Sequence, residues 1–377
     1  MRLNPVLEGL GTYPFLRLDD AKRDAAARGI ELIDFGVGEP REETPDFIRR
    51  ALAKSIEPLS TYPKAIGLPE LRDAIAGWVG RRYGAPLDPD TEIVPTLGSK
   101  EAVFHLAQVA GGDVVAVTTP GYPVPERGAR FAGREVVELT LDAARGFLPD
   151  LGALDAALLD RLAILWLNYP NNPTGATVPL ELLERAAALA RRHDFILALD
   201  EAYSELWFNG DAPASGLQLA DRTNVAVVNT LSKRSSMAGY RSGFVAGDPA
   251  LIAALKRYRP NVGTTPQEFV QRASIVAWDD DEHVVAVRDR YRRKRELLLP
   301  ALLEAGFEDA GGPASFFLWL RTPGGEDEEA CAIRLLERGI VCAPGAFFGA
   351  GGAGYVRFAL VPTPEDCARA AELLRAD

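Results

Sequence analysis

Four short segments put reactive side chains directly after apolar runs. The first is Leu231-Ser232-Lys233-Arg234-Ser235-Ser236-Met237-Ala238-Gly239-Tyr240-Arg241-Ser242-Gly243, which follows the run Val225 to Thr230. A lysine at the end of a buried strand is expensive to desolvate unless it is neutralised or covalently engaged. A lysine of lowered pKa is also the residue type that forms Schiff bases with carbonyl compounds. Ser232 beside it and Arg241 eight residues on are spaced to reach one phosphate. A lone loop lysine is by default merely solvated; here three further segments ask for the same ligand.

The second segment is Leu199-Asp200-Glu201-Ala202-Tyr203, closing the apolar run FILALD. Ligands of α/β sheets sit at the carboxyl ends of strands, and an acid there wants a cationic partner. A pyridinium nitrogen is such a partner, and an aspartate that keeps it protonated makes the ring an electron sink. Tyr203 is spaced to hydrogen-bond that ring's phenolic oxygen. An aspartate here also serves as a helix cap, and on this segment alone the two readings are even. The third segment, Asn168-Tyr169-Pro170-Asn171-Asn172-Pro173-Thr174-Gly175, is at least a strand-to-helix turn; as a site, it offers the Asn172 amide to the same ring oxygen. The fourth, Leu97-Gly98-Ser99-Lys100-Glu101-Ala102, opens a helix. It is an ordinary cap by itself, and a phosphate seat if its free N–H groups face a ligand.

The elements that must position these residues follow from hydrophobic patterning. Apolar β-branched runs at Val114 to Val117, Ala163 to Leu167, Phe195 to Leu199 and Val225 to Val228 alternate with helical stretches such as 181 to 192. That alternation indicates a mostly parallel sheet covered on both faces. Leu71, Ile75, Trp78 and Val79 mark one face of a helix over 70 to 83. Past about 265 the pattern changes to a long charged helix, Val284 to Leu303, then strands near Phe316 to Leu320 and Tyr355 to Leu360 around a helix from Glu328 to Arg338. This reads as a smaller α+β domain. Residues 1 to 45, rich in Pro and Gly, read as an arm wrapped on something larger.

Composition narrows the function. The 377 residues carry 42 Lys+Arg against 53 Asp+Glu, a net charge of -11, so nucleic acid is not expected as a partner. Cys331, Cys342 and Cys367 cannot form a disulfide framework, and His105, His193 and His283 lie far apart, so no metal site is expected. No signal-peptide run and no apolar stretch of about 18 residues occurs, which leads to the expectation of a cytoplasmic protein that does not engage a membrane. Gly349 to Gly354 formally satisfies G-x-G-x-x-G, but a strand follows where a dinucleotide site needs a helix. It reads as a flexible loop leading to Arg357.

Taken together, the four segments resemble the class I/II, fold-type I aminotransferases that depend on pyridoxal 5′-phosphate, and the likeness runs along nearly the whole chain. It implies an arm over 1–45, a large cofactor-binding domain with a seven-stranded sheet over 46–265, and a small domain over 266–377. It implies that Lys233 forms the internal aldimine and that Asp200 pairs with the pyridine nitrogen. Tyr203 and Asn172 would hold the ring oxygen, Tyr122 would stack on the ring, and Gly98, Ser99, Lys100, Ser232 and Arg241 would hold the phosphate. Arg357, in Tyr355-Val356-Arg357-Phe358, would clamp the substrate α-carboxylate, with Gly38 and Tyr13 also at the substrate. Tyr62 matches the tyrosine that reaches the partner subunit's cofactor, which implies a homodimer with shared sites. The substrates would be a small amino acid and a 2-oxo acid, in ping-pong order.

Within the class, Thr12 to Leu18, Leu97 to Phe104, Ser232 to Ser235 and Gln271 to Trp278 resemble the N-succinyldiaminopimelate aminotransferases of lysine biosynthesis. Asn171-Asn172-Pro173 and the segment Tyr258 to Gln267 depart from that group. The alternatives are an aminotransferase for LL-diaminopimelate, aspartate, an aromatic amino acid or alanine, then a β-elimination lyase, and last a non-catalytic effector-binding domain. For a second substrate carboxylate, the cations considered are Lys64, Arg234 and Arg17.

Overall fold

The computed structural model describes residues 1–9 and 14–376. The four apolar runs are strands Val114–Thr119, Leu162–Asn168, Ile196–Asp200 and Val225–Thr230, buried along nearly their whole length. They form the centre of a seven-stranded sheet whose spatial order is Ile93–Thr96, Gly243–Gly247, Val225–Thr230, Ile196–Asp200, Leu162–Asn168, Val114–Thr119, Glu135–Thr140. All neighbours are parallel except Gly243–Gly247, which runs antiparallel to both strands beside it. Continuous apolar strands suit such a sheet because helices cover both faces. The fold is therefore the α/β architecture expected.

Helix Pro69–Tyr83 buries Leu71, Ile75, Trp78 and Val79, the face read from the sequence. Its Trp78 meets Trp278 at 4.7 Å between ring centroids, where helix Glu268–Asp279 packs on it and on Asp46–Lys54. The second sheet has four antiparallel strands, ordered Ala343–Pro344, Tyr355–Ala359, Phe317–Arg321, Glu308–Asp309. Helix Glu282–Glu304 lies against the C-terminal helix Pro364–Arg375, and their buried faces join that sheet in its own core.

The described residues among the first forty form regular elements, more than the bare arm expected. They contain helix Pro14–Ala27 and a short strand, Ile33–Asp34, paired in parallel with Ile340–Val341. The glycine run also differs from a flexible loop. Gly345–Phe348 and Ala350–Gly352 are tight turns packed on the sheet domain; a Cβ on Gly351 would lie 2.7 Å from the Thr119 carbonyl oxygen. Glycine is needed there for close backbone approach. Among the described residues no helix is long and apolar enough to cross a membrane, and no cluster of His, Cys, Asp and Glu is arranged to hold a metal.

Candidate active site

Register sets the floor of the site. Asn168 lies beside Asp200, and Asp200 beside Val228, so three strands end side by side at their carboxyl edges. Above them is a cavity of about 630 Å³, lined by Gly38, Ser99, Lys100, Tyr122, Asn172, Asp200, Tyr203, Ser232, Lys233, Arg241 and Arg357. Residues from 38 to 357 in the chain thus meet at one switch point of the sheet.

Lys233 sits in the single helical turn Leu231–Arg234 that directly follows its strand. Its Nζ donates to the Gly38 carbonyl at 2.7 Å and lies 5.4 Å from the Phe316 ring centroid. Burial pulls the amine down to about 8; nearby Arg357 and Arg241 push the same way, against Glu39 and Asp200. The turn is braced from behind. Arg234 donates to the Ala277 and Asp280 carbonyls and to Asp281, and Ser235 hydrogen-bonds His283 at 2.8 Å.

Asp200 is buried, and burial pushes its carboxyl up to about 6, opposed by the Ala202 N–H and by Lys233. One oxygen accepts from the Ala202 N–H at 3.2 Å. A buried carboxylate with so little compensation favours a cationic or N–H partner in the cavity, which a protonated pyridine nitrogen supplies.

An anion seat stands at another wall. Helix Gly98–Val109 begins there, and the N–H groups of its first turn have no acceptors within the helix. Gly98 has φ +69°, and a Cβ on it would lie 2.6 Å from Arg241 Nη2. Glycine is required for the guanidinium to lie this close. Arg241 is itself held by the Ala238 carbonyl at 2.7 Å and the Leu97 carbonyl at 3.2 Å. Ser232 Oγ pairs with Thr230 Oγ1 at 2.9 Å. Two hydroxyls, a guanidinium and a helix N-terminus on one wall suit a phosphate. Asp200 and this seat together fit pyridoxal phosphate.

Arg357 lies on the buried strand Tyr355–Ala359, not on a surface strand. It donates to Asn172 Oδ1 at 2.9 Å and to the Gly36 carbonyl at 2.7 Å, and stacks near Phe317 and Phe348 at 4.3 and 4.5 Å. Asn172 is set in turn by Asn168, whose Oδ1 accepts the Asn172 N–H at 2.8 Å and whose Nδ2 donates to the Asp200 carbonyl at 2.8 Å. Tyr203 is buried edge-on against Phe316 and Phe317, and burial raises its hydroxyl pKa.

Tyr62, expected at the partner subunit's cofactor and not at this one, stands outside this cavity, as do the cations considered for a second carboxylate. Tyr62 is fully exposed, in a stretch with exposed Ile56 and Leu59. Tyr13 lies outside the described residues. Of the cations considered for a second carboxylate, Arg234 is spent on the brace described above. Arg17 lines a separate apolar groove beside Glu329 and Phe347, and Lys64 is exposed away from the cavity. Asn168, Asp19 and Glu39 also line the cavity, although the sequence gives them no role. Asn168 closes the strand Leu162–Asn168, and that position is its signal in the sequence.

Comparison with known proteins agrees with this geometry. The sequence profile of the family Aminotransferase class I and II matches residues 30–374. An LL-diaminopimelate aminotransferase of Nitratidesulfovibrio vulgaris (strain DSM 19637 / Miyazaki F) is 39% identical over 363 residues, covering 94% of this chain and 93% of that protein. The crystal structure of an aminotransferase from Neisseria meningitidis Z2491 matches with a TM-score of 0.92 at 37% identity, covering 99% of both chains. A probable N-succinyldiaminopimelate aminotransferase from Thermus thermophilus matches with a TM-score of 0.87 at 33% identity, covering 96% of this chain and 99% of that one. With a profile that spans nearly the whole chain and a cavity suited to pyridoxal phosphate, the cofactor of this family, the chain belongs to the class I and II aminotransferases.

Proposed function

We propose that the protein transfers the amino group of LL-diaminopimelate to a 2-oxo acid, working as a homodimer. The observation that carries the reading is the cavity in which Lys233, Asp200 and Arg357 converge. The substrate rests on the relatives at 36–39% identity named LL-diaminopimelate aminotransferase. This moves the preferred substrate from N-succinyl- to LL-diaminopimelate. The N-succinyl substrate is the second reading, favoured by the Thermus structure's name. The exposed Tyr62, with Ile56 and Leu59 near it, supports a second copy completing the site.

When bound, pyridoxal phosphate supplies the carbonyl that takes up the amino group and the ring that draws electrons from the substrate's α-carbon. Ser99, Ser232, Arg241 and the N–H groups at Ser99 and Lys100 would hold its phosphate, with Gly98 allowing the close approach of Arg241, and Tyr122 would flank the ring. Asp200 holds a proton at the ring nitrogen. Tyr203 and the Asn172 amide orient the ring oxygen. Arg357 binds the substrate α-carboxylate as a guanidinium fork. Lys233, its amine lowered to about 8, gives up its proton far more readily than an ordinary lysine and moves the α-proton as base, then as acid. Donor and acceptor use the same residues in turn, so the kinetics are ping-pong.

The test is a half-reaction screen that follows the cofactor's visible absorbance with a panel of amino acids. LL-diaminopimelate is expected to change the spectrum at the lowest concentration. A preference for the N-succinyl compound selects the second reading. Pyruvate and ammonia released from a β-substituted amino acid would replace both with a lyase.

A further inference from the structure

We propose that Glu42, gripped by Lys294 and Tyr291, is a positioning residue that sets the height of the segment Gly36 to Glu42 over the active site. The inference rests on the reading of Lys233 and Arg357 as the working cations.

Both cations hang from this segment. Arg357 donates to the Gly36 carbonyl and Lys233 to the Gly38 carbonyl, each at 2.7 Å. The carbonyls belong to glycines, which carry no side chain to anchor them, so their positions depend on what holds the segment at its ends. Upstream the hold is firm. Ile33–Asp34 is paired with Ile340–Val341, the Phe35 N–H donates to the Val341 carbonyl at 2.9 Å, and Asp34 accepts the Gly36 N–H at 2.8 Å. Between Gly38 and Glu42 the tethers are few among the described residues: Glu39 is exposed with its N–H on the Val37 carbonyl at 3.0 Å, and Arg41 reaches back to Asp34 at 3.4 Å.

Glu42 is the downstream anchor. Its side chain is 4% exposed and that of Lys294 1%. One carboxylate oxygen takes the Lys294 ammonium, and the other accepts the Tyr291 hydroxyl at 2.8 Å. Two residues on, Thr44 Oγ1 donates to the Ser236 carbonyl at 2.6 Å, tying the same strip to the loop after Lys233. A second path runs through rings. Tyr291 lies on Phe316 at 5.1 Å, and Phe316 meets both the Tyr203 edge at 5.5 Å and the Lys233 ammonium at 5.4 Å.

Mere adhesion between the strip and helix Glu282–Glu304 needs no charge, since apolar replacements of buried ion pairs are often neutral or stabilising. A fully satisfied buried pair instead fixes one geometry. Displacements of about 1 Å at a reacting group lower rates by up to about a hundredfold.

The test replaces Glu42→Leu together with Lys294→Met, which leaves no orphaned charge, and separately makes Tyr291→Phe. Three properties are read: the melting midpoint, the pH dependence of Lys233 modification by trinitrobenzenesulfonate in the cofactor-free protein, and kcat and KM. The Lys233→Ala protein isolates the lysine's signal by difference. The double variant is expected to melt near the parent temperature, to lose about tenfold or more in kcat, and to shift the Lys233 modification midpoint. Parent kcat and midpoint in the folded double variant would overturn the proposal. Should the double variant not fold, Tyr291→Phe decides alone: a loss of about threefold in kcat with a shifted midpoint supports it, and parent values reject it. Turnover that survives Lys233→Ala would sink the underlying assignment instead, whatever the Glu42, Lys294 and Tyr291 variants do.

Discussion

Lys233 and Lys294 are both lysines set into the protein, and their surroundings differ in one respect. The Lys294 ammonium meets the carboxylate of Glu42 and is sealed from solvent. Lys233 faces the cavity, and the acceptor its amine finds is a backbone carbonyl, that of Gly38. An ammonium in contact with a carboxylate is stabilised as a charge, whereas burial disfavours the charged form of an amine that has no such contact. Without one, Lys233 is pulled down to about 8. The first region uses its lysine to hold geometry and the second keeps its lysine able to give up a proton. The arginines divide the same way. Arg234 is consumed by carbonyls and Asp281 behind the site, whereas Arg357 is fixed by a carbonyl and an amide oxygen at the cavity wall.

The sharpest way to break this contrast is Lys233→Ala. It is expected to lower amino transfer by about a thousandfold or more, measured as initial rates, whereas the Glu42→Leu/Lys294→Met protein loses far less. Equal losses in the two would mean that the lysines are not different in kind. Next in size, Arg357→Ala removes charge-assisted hydrogen bonds to a shared carboxylate and should raise KM for every α-amino acid by about ten- to a hundredfold. An unchanged KM assigns the carboxylate to another cation.

Titration sharpens the comparison further. In the cofactor-free protein, Lys233 should become reactive toward amine reagents with a midpoint near 8, well below an ordinary lysine at 10.5; a midpoint at the ordinary value would erase the distinction. The smallest effect is on stability. Because the folded-state pKa is depressed, the penalty on the folded cofactor-free protein is complete below about 8 and is relieved as pH rises from there toward 10.5. Lys233→Met should therefore raise the melting midpoint by a few degrees at pH 7, and that gain should shrink in alkaline buffer. A gain that grows with pH contradicts the sign.

The legible parts of the fold were those with strong local patterns. The central strands could be read because parallel strands covered on both faces are apolar throughout. The edge strand Glu135–Thr140, half-buried and alternating with polar residues, escaped notice, as did Gly243–Gly247, whose antiparallel direction leaves no mark in composition. Helix Pro14–Ala27 was hidden in a segment read as an arm. In the site, Lys233, Asp200 and Asn172 were visible as reactive types at strand ends. Asn168 was not, because a residue that acts only by orienting its neighbours has no chemistry of its own to advertise.

What the sequence determined by itself is local: which runs become strands, which side chains stand at their carboxyl ends, and the kind of chemistry such a set performs. Tertiary structure decided which of the charged groups would be free for that chemistry. Gly38 and Lys233 are 195 residues apart and Glu42 and Lys294 are 252 apart, so neither contact exists until the chain folds. The state of a buried charge depends on the partner and the solvent it is left with, and both belong to its place in the fold.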